Sequence, residues 1–194
     1  MKSEMTIRPV ELSKAYRLVQ LGATTMLSAK YQDDADVMAA AWVGLGGPNK
    51  VIAYLGTQSN TRRLVEKSGY FVVHIPTVQQ METVLYVGGH SKFTSPEKLD
   101  NVPLFYQDGY DIPLVTGSAG YLLCKVVPNA QQEQEFDSFM GEIVSTWADS
   151  RVFDGRHWLF DEAPEELRTV HYVAGGQFYA MGQGTKFNHG PGQD

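Results

Sequence analysis

A short polar cluster, Ser59-Asn60-Thr61-Arg62-Arg63, stands just before an apolar-periodic stretch that stops at Gly69. A helix beginning there leaves its first backbone N–H groups without intrahelical partners, and such groups suit an anion. Two adjacent arginines are unusual at that end, because acidic side chains are the ones that suit a helix N-terminus. An anion would neutralise them. The ordinary alternative is a capped surface helix, with Asn60 or Thr61 as cap and Gly69 just past its end. Upstream, Ala39-Ala40-Ala41-Trp42 offers three side chains too small to hold a flat ring off the backbone. Small residues also serve close packing in a buried strand, and Trp42 reads as a core residue rather than a stacking partner. An anion cradle and a backbone-lined slot are the two ends of a site for a phosphorylated planar molecule.

Other candidates are weaker. His90-Ser91-Lys92-Phe93 follows Gly88-Gly89, a flexible approach to a cation that could reach a phosphate or a substrate carboxylate. Phe93 would then cover a ring or fill an interface. The histidines (His74, His90, His157, His171 and His189) show no helical metal-pair spacing and read as surface or satisfied core residues, so no metal site is expected. Cys124, in YLLCKVV, reads as a buried inert thiol. There is no nucleophile elbow and no phosphate-binding lysine loop. Gly44-Leu45-Gly46-Gly47 is a turn that opens no helix, so a dinucleotide fingerprint fails. No catalytic acid or base is assigned.

The elements that must position these residues are mostly strands. β-rich runs cover 23–29, 37–44, 50–56, 70–75, 119–127, 138–148, 169–173 and 177–181, with turn signals at Asp33-Asp34, Gly46-Gly47-Pro48-Asn49, Pro128-Asn129 and Gly175-Gly176. Helical patterns are short, chiefly 61–68 and 163–167. Strands that do not alternate with crossover-length helices argue against a doubly wound sheet and for an antiparallel barrel. Residues 87–113 break the rhythm with glycines, prolines and aromatics; so long an irregular segment is usually functional or interfacial. Val10, Ala15, Leu18 and Val19 fall on a helical spacing, so residues 1–20 are expected to hold an N-terminal helical segment. Residues 183–194 read as a flexible tail. With no internal repeat and no linker, residues 1–194 are expected to form a single domain.

The order and spacing of the two chemical stretches resemble the flavin reductase-like family of FMN-binding split barrels. There a segment like M-T-A-S-W is followed, after a strand, by a threonine-led helix ending in S-G-x-F-V-V-N. The counterparts are Met38-Ala39-Ala40-Ala41-Trp42, Thr61, and Ser68-Gly69-Tyr70-Phe71-Val72-Val73-His74. Ala41 stands where serine is frequent, His74 where asparagine is, and His90-Ser91-Lys92-Phe93 where a longer S-G-x-x-x-D-K-F is common. The resemblance implies a mainly β, six-stranded antiparallel Greek-key split barrel with short peripheral helices, holding FMN at a homodimer interface. It implies FMN contacts from Ala39, Ala40, Ala41, Trp42, Ser59, Asn60, Thr61, Arg62, Lys92 and Phe93, with Thr61 foremost. It also implies NAD(P)H-dependent reduction of a small-molecule or flavin acceptor. Two other readings stand beside it: a flavoredoxin-like carrier reduced by a protein donor, and a ligand-binding barrel dimer without flavin.

Composition sets the remaining bounds. Of 194 residues 43% are hydrophobic and 20% charged, which is ordinary for a globular domain. The formal net charge of −6 comes with no basic stripe, so nucleic acid is not an expected partner. No apolar run approaches the roughly 20 residues of a membrane span, and the N-terminus lacks the apolar centre of a signal peptide, so a cytoplasmic location is expected. An acidic chain that binds an anion must do so through local geometry.

Overall fold

The computed structural model describes residues 9–11, 13, 18 and 23–185. The expected N-terminal helical segment lies almost wholly outside these residues, as does most of the expected tail. The chain then runs through β1 (Thr25–Tyr31), β2 (Asp34–Ala40), β3 (Val43–Gly47), β4 (Lys50–Tyr54), helix α1 (Asn60–Ser68) and β5 (Tyr70–Ile75). A second helix, α2 (Met81–Gly89), leads through a 3-10 turn (Lys98–Asn101) to β6 (Leu104–Phe105) and β7 (Leu114–Val115). Strand β8 (Gly120–Val127), helix α3 (Ala130–Glu135), β9 (Ser138–Ala148), β10 (Val170–Ala174) and β11 (Gln177–Ala180) complete it.

The fold is mainly β, an antiparallel split barrel with short helices around it. Its main sheet has seven strands in the order β2-β1-β5-β8-β9-β4-β3, one more than the sequence suggested. The extra strand arises because the run 37–44 is not continuous: it breaks at Ala41-Trp42, giving β2 and β3. That break shapes the barrel. β2 and β3 are the two edges of the sheet, yet only two residues separate them along the chain. The edges therefore lie within about 11 Å at that corner, the reach of three Cα–Cα steps, and the sheet must curl round to bring them together.

Inside the curl sits the main core, built on Leu27, Val51, Leu55, Phe71, Val73 and Phe139, with Leu64 and Val65 of α1 packed against it. Gly141 is required there: a Cβ would come within 2.5 Å of Phe71 Cζ and 2.7 Å of Cys124 Cβ. Cys124 is buried as expected, and desolvation pushes its thiol up to about 12. α1 begins at the N-cap Ser59 and ends at Gly69 (φ 70°), whose N–H bonds Val65 O at 2.8 Å.

The other face of β1 and β2 is covered by α2. Val84 and Val87 pack with Met26, Val37, Val102 and Val115 in a second cluster. β2 is thus buried on both sides: Ala40 faces the barrel core, while Val37 and Ala39 face α2.

Candidate functional site

Helix α2 does not close completely onto β2. Between them and the start of α1 runs a groove of two adjoining chambers that share Ala39, Gly88 and Gly89. The first, about 370 Å³, is bounded by Thr24, Ala39, Ala40, Ala41, Leu85 and Tyr172. The second, about 350 Å³, is bounded by Met38, Ser59, Asn60, His90, Ser91 and Lys98. Its floor also includes Asp36. Gly88 fixes the width at the junction, because a Cβ there would stand 3.0 Å from Ala39 Cβ. The apolar end is therefore lined by small side chains and exposed backbone, and the polar end lies at a helix start.

The polar end is built on a buried network. Asp36 and Lys98 are 2% exposed, and Lys98 Nζ lies 3.1 Å from Asp36 Oδ1. Thr61 is buried and its Oγ1 donates to Asp36 Oδ2 at 3.0 Å. The N–H of Val37 donates to Asp36 Oδ1 at 2.8 Å. Asp36 is thereby held by three donors, and it fixes Lys98 in the wall of the chamber. In the first turn of α1, the N–H groups of Asn60 and Thr61 have no protein acceptor among the described residues, while that of Arg62 is capped by Ser59 Oγ at 3.4 Å.

The expected site residues divide into those that line this groove and those that do not. Ala39, Ala40, Ala41, Ser59 and Asn60 line it. The hydroxyl of Ser59 also donates to Met38 Sδ at 3.2 Å. Thr61 reaches the chamber only through Asp36. The arginines of the expected cradle are spent elsewhere. Arg62 is buried and donates to Leu55 O at 2.9 Å, Glu133 O at 2.8 Å and Glu66 Oε1 at 2.8 Å, and it pairs with Asp137. Arg63 pairs with Asp34 and donates to Asn60 Oδ1 at 2.9 Å. Lys92 donates to Asp34 Oδ1 at 2.8 Å and to Ala35 O at 2.7 Å. These cations brace α1 and the loop after α2 against β2. The carboxyl of Asp34 loses some hydration there, yet the bonds from Lys92 and Arg63 outweigh that and hold it below the usual carboxylate range.

One aromatic expectation needs correction. Trp42 is 55% exposed, not core, and meets Tyr54 edge-on at 6.3 Å. The interruption between β2 and β3 leaves its side chain exposed. Phe93 is also exposed and does not line the groove. Residues 87–113 are less irregular than expected, since α2 extends into them and β6–β7 forms a short ladder.

Sequence reasoning passed over Asp36, Lys98 and Gly88 as site residues. An aspartate in an apolar strand was the available signal for the first, since a buried carboxylate needs a partner. His74, at the position where asparagine is frequent in the resembling family, is buried beside the groove-bearing strands. Its Nε2 lies 3.4 Å from Ser28 Oγ, and that hydroxyl donates to Pro113 O at 2.6 Å. Desolvation lowers its pKa to about 3, so the ring is neutral.

A split barrel with a backbone-lined slot leading to a helix start defines a class of small-cofactor-binding β-barrels. The chain belongs to the flavin reductase-like domain family, whose model matches residues 22–166. Its structure is similar to that of an FMN-binding domain of a flavin reductases-like enzyme from Shewanella baltica, with 42% identity, 92% of this chain and 96% of that one covered, and a TM-score of 0.82. It is 30% identical over 183 residues to the Escherichia coli K12 protein YddH, covering 90% of this chain and 95% of that protein. The flavoredoxin of Desulfovibrio vulgaris, at 21% identity and a TM-score of 0.70 over 96% of this chain and 97% of that one, shares the fold.

Proposed function

We propose that this protein holds FMN in the groove between β2 and α2 and acts as an NAD(P)H-dependent oxidoreductase of the flavin reductase type. The observation that carries this reading is the continuity of the slot with the polar chamber. Ala39, Ala40, Ala41 and Gly88 leave room for a planar ring against backbone. At the other end, a phosphate would meet the unsatisfied N–H of Asn60 at the start of α1, beside Lys98. The residues present therefore fit the cofactor, and the FMN-binding relative at 42% identity supports the same choice.

Bound FMN would supply the electron-transfer chemistry, and the chain's own residues would bind, orient and shield it. Val84, Leu85 and Tyr172 would pack against a bound ring, and the main chain of 39–41 would offer hydrogen bonds to its edge. An acceptor of electrons would be a small molecule or a second flavin. Leu85, which lines the groove, and Trp42, next to the lining residue Ala41, are exposed and apolar, which supports a homodimer whose second copy covers the groove.

The test is direct. Purified protein should carry a flavin band near about 450 nm, the usual region for such a cofactor, and NADH or NADPH should bleach it under anaerobic conditions. Neither nucleotide should be favoured by more than about a hundredfold, since no acidic residue follows a glycine fingerprint to read a ribose. Colourless protein that takes up no FMN would refute the cofactor. A flavin that stays oxidised with both nucleotides but accepts electrons from a protein donor would make this an electron carrier. Light scattering near the 21.6 kDa chain mass would exclude the dimer.

A further inference from the structure

The groove runs along β2, and its parts follow the order of that strand. Residues 39–41 line the slot, Asp36 and Met38 line the polar chamber, and Asp34 is the first residue of the strand. At about 3.3 Å per residue, Asp34 lies only about 7 Å beyond Asp36. At that end the two walls of the chamber are tied together. The α1 wall presents Asn60, whose Oδ1 accepts from Arg63 Nε at 2.9 Å and Nη2 at 2.7 Å. The loop wall presents Ser91, and Lys92 follows it. Asp34 joins the two: its Oδ2 accepts from Arg63, and its Oδ1 accepts from Lys92 Nζ at 2.8 Å. Lys92 also donates to Ala35 O at 2.7 Å, which fixes the loop to the strand one residue nearer the chamber.

This clamp spends charge as well as space. Arg63 and Lys92 both pair with Asp34, Lys98 pairs with Asp36, and Arg62 pairs with Asp137 and Glu66. Each of these four cations around the chamber therefore has a carboxylate partner. What is left for an anion is the N–H of Asn60 and the ammonium hydrogens of Lys98 that Asp36 does not take, since an ammonium carries three. That provides for one phosphate group. A second phosphate joined to the first and carrying a nucleoside needs donors of its own and a way out of the chamber. Continuing along β2, it meets the clamp at once, because a nucleoside monophosphate is longer than the gap between Asp36 and Asp34.

We infer that the Arg63–Asp34–Lys92 clamp makes the site specific for a flavin mononucleotide: it bars the path of an adenylyl extension past the phosphate and leaves that extension's own phosphate without a cation, so FAD is rejected. The inference rests on FMN being the groove's ligand and adds the determinant that tells FMN from FAD. None of the three residues lines the groove, so they are positioning residues. Asp34 is the centre of the arrangement, because one of its oxygens serves each wall.

The experiment is equilibrium dialysis of the full chain against mixtures of FMN and FAD, with the bound flavins separated by chromatography and riboflavin dialysed alone as a control. Wild type should retain FMN over FAD by about a hundredfold, the value of two charge-assisted hydrogen bonds that a second phosphate lacks here. Asp34→Ala opens the clamp and frees two cations, so the preference should fall to about tenfold or less, while riboflavin binds as to wild type. A variant that loses riboflavin and both nucleotides in equal proportion has a loosened site, and that result overturns the role of the clamp. Lys92→Gln opens the same end from the loop and carries the test if Asp34→Ala does not fold. It should also raise the share of FAD, by less, because it removes one of the cations. Wild type that takes up FMN and FAD alike overturns the inference, as does a preference that neither variant changes; both leave FMN in the groove. Wild type that binds neither nucleotide overturns the assignment of FMN to the groove itself.

Discussion

Thr61 Oγ1 donates to Asp36 Oδ2 across 3.0 Å, and both residues are buried. The hydroxyl at the start of α1 is therefore turned into the protein, towards the carboxylate that anchors Lys98. The hydroxyl expected to meet a phosphate is committed instead to the carboxylate that holds Lys98.

Thr61→Val keeps the shape and removes the donor. Leaving one oxygen of a buried carboxylate without its hydrogen bond costs about 1–3 kcal/mol, so urea unfolding should show that loss. FMN affinity should fall only as far as Lys98 shifts. A stability equal to wild type would mean that Asp36 is satisfied without Thr61.

Lys98→Met separates the buried pair. Removing one partner of such a pair costs about 3–5 kcal/mol. Adding Asp36→Asn should recover much of that, because the stranded carboxylate is then neutral. In titrations, Lys98→Met should weaken FMN about tenfold or more, the value of a charged hydrogen bond, and should leave riboflavin unchanged. Equal losses for both flavins would place Lys98 away from the phosphate.

Gly88→Val makes the opposite forecast. Any Cβ at this position crowds Ala39 Cβ at 3.0 Å, so α2 must shift relative to β2 and the slot changes width. FMN and riboflavin should both bind more weakly, by a similar factor, since the defect is at the ring end. A selective loss of FMN would contradict the assignment of ends.

His74 sets a pH dependence of stability. Its folded pKa is lowered by burial to about 3, from the ordinary 6.5. Between those values the unfolded chain binds a proton that the folded chain does not, so stability falls as pH falls. The contribution is intact above pH 6.5 and is lost at about 1.4 kcal/mol per pH unit below it. His74→Phe should remove this slope between about pH 6.5 and 5, above the range where carboxylates dominate. Parallel profiles for variant and wild type would show that the ring is protonated in place.

The local pattern was enough for much of the scaffold. Strands β5 and β9 have the bounds of the β-rich runs 70–75 and 138–148, Gly69 stops α1 in the left-handed conformation, and the small residues 39–41 do line a slot. These are near-neighbour effects: side-chain period, backbone sterics and side-chain size. Helix α2 was not legible, because the apolar run Val84-Leu85-Tyr86-Val87 followed by two glycines looks like a strand and its stop. It becomes a helix where Val84 and Val87 can be buried against Met26 and Val37.

The roles of the charges were decided mainly by the tertiary structure. Arg62, Arg63 and Lys92 all stand near the expected cradle, but Asp137 and Asp34, which pair with them, come from 75, 29 and 58 positions away along the chain, and only Arg62 has a local partner as well, Glu66. Lys98 enters the chamber because Asp36 lies 62 positions before it, on the strand that α2 covers. A sequence shows which side chains carry charge. Which of them remain to meet a ligand depends on which opposite charges the fold brings within reach, since the strong interactions act only over a few ångströms.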